Sequence, residues 1–239
     1  MTSPVIYDYP PLYSGTLIRR YKRFLADVEL VNGEVITAHC PNTGPMTGVC
    51  EPASPVLLSY SDNAKRKYPY TWEAIQMRDA ERTWVGINTS RSNAIVRSLL
   101  EQHLIPELGD YRSIRSEVKY GQDGKSRVDF LLEGDRPIYL EVKNTTWARQ
   151  TQALFPDTVT QRGQKHLREL MALVDEARCV MLYLINRGDC DRFSPGDDAD
   201  PTYGKLLRDA VNRGVEVLPC QVNVSPEGLR YLGQVPLEL

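Results

Sequence analysis

From residue 24 to residue 40, short apolar-rich runs flank Asn32-Gly33, a pattern that predicts a β-hairpin closed by a tight two-residue turn. Strand patterns recur at 56–60, 70–77 and 83–87, parted by the Pro- and Gly-rich loops 41–48 and 51–55. Strands without a helix predict a small β-barrel here, and the OB-fold is the commonest such barrel that binds nucleic acid. The texture changes near residue 87. Ile95, Val96, Leu99, Leu100 and Leu104 then recur at helical spacing behind Ser90, and Pro106 with Gly109 ends the run. Three strand patterns follow, at 111–120, 126–132 and 137–143. A second helix is expected over 160–175, with Gly163, Leu167, Leu170, Met171 and Val174 on its apolar stripe. The continuous apolar run 179–185 reads as a strand buried on both faces, and 189–200 as a solvated acidic loop. A last helix over 200–212 and a strand at 215–219 complete an α+β chain: an OB-like barrel at 1–86, then an α/β domain at 87–239.

Composition narrows the function classes. Lys and Arg number 29 against 31 Asp and Glu, so the chain is no polycation, and affinity for nucleic acid would need local basic patches. No apolar run approaches the roughly 18 residues of a membrane helix, and the first ten residues lack a signal-peptide layout, so the expected compartment is the cytoplasm, with no membrane partner. Cys40, Cys50, Cys179, Cys190 and Cys220 form no CxxC pair and read as reduced, mostly buried thiols. With three histidines (His39, His103 and His166), a His-rich metal site or a Ser/His/Asp triad has few available members.

The candidate chemistry sits on the second and third strands after residue 87. SRVDFLL (126–132) carries Asp129, and YLEVKN (139–144) places Glu141 and Lys143 on one strand face with Val142 on the other. Two carboxylates and an amine suit phosphodiester cleavage: carboxylate oxygens hold Mg²⁺ or Mn²⁺, which neutralises developing phosphate charge, while the ammonium positions the attacking water. The acid-x-Lys triplet alone is weak evidence, since Glu117-Val118-Lys119 and Asp123-Gly124-Lys125 repeat it. The apolar lead-in of Ile138, Leu140 and Val142, and the second acid at hairpin distance, single out the 141–143 copy.

The order helix, three strands, helix, strand, with Asp129 and Glu141-Val142-Lys143, resembles the PD-(D/E)xK nuclease superfamily. More closely, residues 19–44, 126–132, 139–144 and FPDTVTQRGQKHLREL (155–170) resemble the sugar fermentation stimulation protein A family. That resemblance implies an N-terminal OB-like barrel and a C-terminal PD-(D/E)xK nuclease-like domain. It also implies DNA binding with little sequence preference and a regulatory role in sugar, especially maltose, metabolism. Carried over, it makes Asp129 and Glu141 the metal ligands, Lys143 the catalytic lysine and Glu117 an additional acid. The first helix departs from the superfamily pattern: Ile95, Val96, Leu99 and Leu100 face inward, and Glu101 is the nearest acid. A non-catalytic DNA-binding regulator with a degenerate nuclease fold is therefore the alternative to a divalent-metal nuclease.

Three basic regions are candidates for DNA contact. Arg19, Arg20, Lys22 and Arg23 interleave with Tyr21 and Phe24, and Lys65, Arg66 and Lys67 adjoin Tyr68, Tyr70 and Trp72, mixtures suited to phosphate contact with base stacking. On the second helix, Gln161, Arg162, Lys165 and His166 are expected opposite the apolar stripe, free to hold a phosphate, and loop 41–48 offers backbone N–H groups as an anion nest. After Gly214, the β-branched Val215 and Val217 favour a strand over a DNA-recognition helix.

Overall fold

The computed structural model describes residues 4–79, 81–121 and 126–239. Five strands close the barrel: β2 (Leu12–Tyr21), β3 (Leu25–Leu30), β4 (Val35–His39), β5 (Pro55–Tyr60) and β6 (Tyr70–Gln76), after a short β1 (Val5–Tyr7). Their order is β4-β3-β2-β5-β6, and a parallel bridge from His39 to Thr71 joins the ends, the OB topology. Inside lie Leu17, Val28, Leu58, Ile75 and Trp72, all essentially inaccessible, each large aliphatic contributing about 2 kcal/mol by burial. Trp72, expected beside the basic cluster as a stacking ring, is thus a core residue; its indole N–H donates to the Ala74 carbonyl at 2.9 Å. The predicted hairpin is present, but its turn is one residue longer than expected. Gly33 N–H bonds the Leu30 carbonyl at 2.9 Å with Gly33 at φ +83°, so Val31 also belongs to the turn and is exposed.

β7 (Trp84–Gly86) leads out of the barrel to α1 (Ser92–Glu101), whose Ile95, Val96, Leu99 and Leu100 are buried as expected. The meander β8 (Ser113–Tyr120), β9 (Ser126–Glu133) and β10 (Ile138–Thr145) follows. After the small strands β11 (Ala148–Arg149) and β12 (Gln152–Phe155), helix α2 (Gln161–Leu173) crosses over, and β13 (Arg178–Ile185) then pairs parallel to β10. The expected solvated acidic loop instead contains β14 (Arg192–Pro195), paired with β12 and anchored by buried Phe193. α3 (Pro201–Arg213), β15 (Glu216–Ser225) and β16 (Gly228–Gln234) end the chain. The strand predicted after Gly214 is therefore β15, parallel to β13, and β1 pairs with β16.

Local chemistry sets the helix ends. Thr160 Oγ1 accepts the Gly163 N–H at 3.1 Å, and Asp200 accepts the Tyr203 N–H at 3.0 Å, so both helices start on side-chain caps. α3 stops at Gly214, left-handed at φ +106°. A Cβ on Gly163 would come within 3.0 Å of the Tyr203 ring, so this glycine lets α2 lie close to α3. The sheet around β10 separates two cores: Ile138, Leu140 and Val142 pack with α1, whereas Tyr139 and the buried Met181 and Tyr183 pack with α2 and α3. The five cysteines are unpaired and all but Cys50 are buried, as expected of small apolar side chains. Among the described residues no helix is long and apolar enough to cross a membrane.

Candidate active site

The antiparallel register of β9 and β10 pairs Leu140 with Phe130, so the next step brings Asp129 beside Glu141. Asp129 Oδ2 accepts the Val142 N–H at 2.8 Å, capping the peptide that joins Glu141 to Val142. Its Oδ1 accepts from the Asn93 side-chain amide at 2.8 Å, so α1 contributes an amide where an acid was sought. Glu101 lies on the exposed side of that helix, paired with Arg97 at 2.8 Å.

Glu141 is almost wholly buried. Its Oε1 receives Lys143 Nζ at 2.6 Å and also meets His166 Nδ1, while Oε2 is buried with no hydrogen-bond partner among the described residues. Lys143 Nζ stands 3.1 Å from His166 Nδ1, so acid, amine and imidazole meet at one point. Burial would raise the Glu141 carboxyl, but the His166 hydrogen bond and the Lys143 charge outweigh it and hold this group below the usual carboxylate range. Asp129 moves the other way. Burial and then the Glu141 charge push it up, against the Val142 N–H, the Asn93 amide and Lys143. Neighbouring carboxylates set apart in this way are typical of sites that hold a cation or transfer protons.

His166 corrects the expected exposed face of α2. It is buried on the sheet side, with Arg162 Nε near its second nitrogen at 3.4 Å, so it supports Glu141 and cannot offer itself to a surface phosphate. Arg162 and Lys165 are exposed, as anticipated, and Lys165 pairs with Glu169 at 3.4 Å. Glu117 is exposed on β8 with φ +55° and stands outside the buried group, and Lys119 of the same triplet is also exposed. The triplet at 123–125 lies outside the described residues.

A cleft of about 310 Å³ opens beside the site, with Lys143, Asn93, Asn144 and Trp147 on one side and Asn42 and Asp157 on the other. Loop 41–48 contributes Asn42 to that lining. Its backbone nest is filled from within, since the N–H groups of Thr47 and Met46 point to the Asp157 carboxylate, whose pKa burial nonetheless raises. Arg20 braces the same loop. Its guanidinium donates to the carbonyls of Arg23 (2.7 Å), Asn42 (2.9 Å) and Gly44 (2.8 Å), so this cation is committed to the fold and not free for DNA. Arg19 is tied to Asp27 at 2.9 Å, whereas Lys22 and Arg23 are exposed at the β2–β3 turn.

Two family descriptions match the chain: the SfsA N-terminal OB domain over residues 18–87, and the sugar fermentation stimulation protein RE domain over residues 90–228. The chain belongs to the sugar fermentation stimulation protein family. Among its relatives, the sugar fermentation stimulation protein homolog of Synechococcus elongatus is 62% identical over 98% of both chains. The homolog of Trichormus variabilis is 64% identical over 97% of this chain and 98% of its own. The solved structure of Pyrococcus furiosus SfsA in complex with Ca²⁺ is 25% identical, with a TM-score of 0.88 over 99% of this chain and 100% of that one. The two matches divide the chain into the barrel and the α+β unit that carries Asp129, Glu141 and Lys143.

Within this site, two carboxylates make the donor set. Among the described residues no group of three or more His, Cys, Asp and Glu is arranged to hold a metal. The buried, unpartnered Glu141 Oε2 beside Asp129 nevertheless fits a hard divalent cation that keeps several waters, because such an oxygen otherwise loses a hydrogen bond.

Proposed function

We propose that this protein binds DNA with little sequence preference and cleaves its phosphodiester bonds with Mg²⁺ or Mn²⁺. The observation that carries the reading is the unpartnered Glu141 Oε2 next to Asp129, with Lys143 reaching from the same strand face to the cleft. The Ca²⁺ in the archaeal relative's structure supports it, since Ca²⁺ and Mg²⁺ both take oxygen ligands. When bound, the cation would supply Lewis-acid stabilisation of the phosphate oxygens. The chain's own residues do the rest. Asn93 and the Val142 N–H hold the Asp129 carboxylate in place, and His166 fixes Glu141 through Oε1, which leaves Oε2 open. Lys143 lines the cleft, where its ammonium can orient an attacking water toward phosphorus. Exposed Lys22, Arg23, Lys65, Arg66, Lys67, Arg162 and Lys165 supply phosphate contacts that carry no sequence information.

The test is to incubate purified protein with single- and double-stranded DNA and Mg²⁺ or Mn²⁺, with Asp129→Asn as control, and to titrate both proteins with metal by calorimetry. Metal binding and cleavage by the wild type alone support the reading. Absence of cleavage on every substrate, with metal heat identical for both proteins, refutes it.

A further inference from the structure

Three tyrosines from neighbouring barrel strands meet on the outside: Tyr13 on β2, Tyr60 at the end of β5 and Tyr70 at the start of β6. Their ring centroids are 5.2 Å apart for Tyr60 and Tyr70, 5.6 Å for Tyr13 and Tyr70, and 6.1 Å for Tyr13 and Tyr60. Tyr13 is 44% exposed and Tyr60 48%, whereas Trp72 on the same sheet is fully inside. Tyr70 packs against the barrel core from its partly buried position, while Tyr13 and Tyr60 present aromatic surface to solvent.

Cations stand beside it. The 61–69 loop between β5 and β6 carries Lys65, Arg66 and Lys67, all exposed, and among the described residues none of the three makes an ion pair, in contrast to Arg19. Arg66 donates to Thr71 Oγ1 at 2.8 Å, which holds its guanidinium in a groove that Tyr60 also lines. A groove of about 640 Å³ starts there, lined by Tyr60, Arg66, His39 and Arg91, and reaches Pro41 and Ser90. Thr89 Oγ1 donates to the Pro41 carbonyl at 3.2 Å, and across that contact Asn42 and Thr89 line the Lys143 cleft. The barrel groove and the active-site cleft thus meet at one wall.

We propose that Tyr13 and Tyr60, with Lys65, Arg66 and Lys67, form a docking surface for an unpaired nucleic-acid strand that runs across the Pro41–Thr89 contact to Lys143. The inference deepens the nuclease reading and rests on it, naming the substrate as single-stranded. Unpaired bases expose the ring faces that tyrosines stack on, whereas paired bases keep theirs inside the duplex. The cations meet the phosphates between stacked bases and make the affinity salt-dependent.

Fluorescence anisotropy in EDTA, with labelled oligothymidylate and a hairpin duplex of equal length, separates the outcomes. The wild type should prefer the single strand. Tyr13→Ala/Tyr60→Ala should lower the ratio of single-strand to duplex affinity about tenfold or more, whereas Tyr13→Phe/Tyr60→Phe, which keeps both rings, should hold that ratio. A wild type that prefers duplex, an alanine variant with an unchanged ratio, or a phenylalanine variant as weak as the alanine one overturns the proposal. Those results leave the metal-dependent reading standing, because cleavage and calorimetric metal binding are measured separately; a wild type that binds neither form in EDTA likewise overturns the docking surface alone.

Discussion

Asp129→Asn should make the metal-free protein more stable while removing its metal binding. Asp129 accepts two hydrogen bonds, from Asn93 Nδ2 and Val142 N–H, each at 2.8 Å. An asparagine can keep both: its carbonyl takes the Val142 N–H, and its amide donates to Asn93 once that side-chain amide flips. What disappears is a buried negative charge beside a second carboxylate. The sign follows from the raised Asp129 pKa. Burial and Glu141 together outweigh the hydrogen bonds and Lys143, so the ionised form is less favourable here than in the unfolded chain. A carboxyl raised in the folded state binds protons more readily there, so its ionisation costs stability as pH rises through the folded value. Removing a buried charge of this kind yields about 1 kcal/mol, or about 2–4 °C in Tm for a chain of this size. The assay is thermal melting in EDTA from pH 4 to 8, repeated with Mg²⁺ or Mn²⁺ at neutral pH. The variant's advantage should be largest near neutrality and vanish in acid, where a protonated Asp129 resembles asparagine. Added metal should raise the wild-type Tm and leave the variant unmoved. An Asp129→Asn variant that melts below wild type in EDTA at pH 7, or that gains as much from metal, refutes the reasoning.

Other outcomes follow from the same geometry. Lys143→Ala should lower cleavage by about 10²-fold or more with DNA affinity nearly unchanged, read by single-turnover cleavage against anisotropy. DNA affinity should fall steeply as salt rises from about 50 to 200 mM, and a flat response measured by titration would count against phosphate contact by the exposed Lys and Arg residues. Arg20→Ala should cost about 2 kcal/mol, because its charged hydrogen bonds to the carbonyls of Arg23, Asn42 and Gly44 are lost together. Limited proteolysis within 41–48 should accelerate in that variant, and an unchanged digestion pattern would show that the loop holds itself.

Much of this architecture is legible in the sequence because the hydrophobic periods are clean where elements are half-buried. β3 from Ala26 to Leu30, α1, and β9 from Ser126 to Phe130 alternate or recur as their burial requires. β2 is hidden for the converse reason: of its residues only Leu17 is buried, and Arg19 and Arg20 lie in the strand itself, so no apolar alternation marks it. β14 hides in an acidic stretch because its neighbours are spent locally, with Asp189 paired to Arg187 at 2.6 Å and Asp200 capping α3, while Phe193 is the one large apolar side chain that anchors the strand. At the site, Asp129, Glu141 and Lys143 are readable from the strand pattern and the family resemblance. His166 reads as a surface residue although its spacing holds the opposite signal: Gly163, His166 and Leu170 fall at helical intervals, and all three are buried. A polar side chain on an apolar stripe is the mark of a residue turned inward to meet another polar group. Asn93 carries no such mark, since an asparagine near a helix start reads as a cap.

The barrel and the site are also held in a fixed relation, which bears on the proposed single-strand path. β6 pairs with β7 and β7 with β15, so one hydrogen-bonded sheet continues from the barrel to the strands around Glu141. At that junction Glu73 of β6, fully buried, accepts from Ser59 Oγ at 2.6 Å, Asn88 Nδ2 at 2.8 Å and Arg91 Nη2 at 2.8 Å. An apolar contact there would tolerate sliding, whereas a buried carboxylate with three donors is satisfied in one arrangement, because any shift leaves charge unpaired. Arg91 lies two residues before Asn93, which holds Asp129. The strand that carries Glu73 also carries Tyr70, so the aromatic surface and the candidate metal ligands are referred to the same short stretch of chain. A nucleic-acid strand stacked on the barrel as proposed would therefore meet Lys143 at a set distance along its backbone, and the position of cleavage would be a property of the fold and not of base sequence.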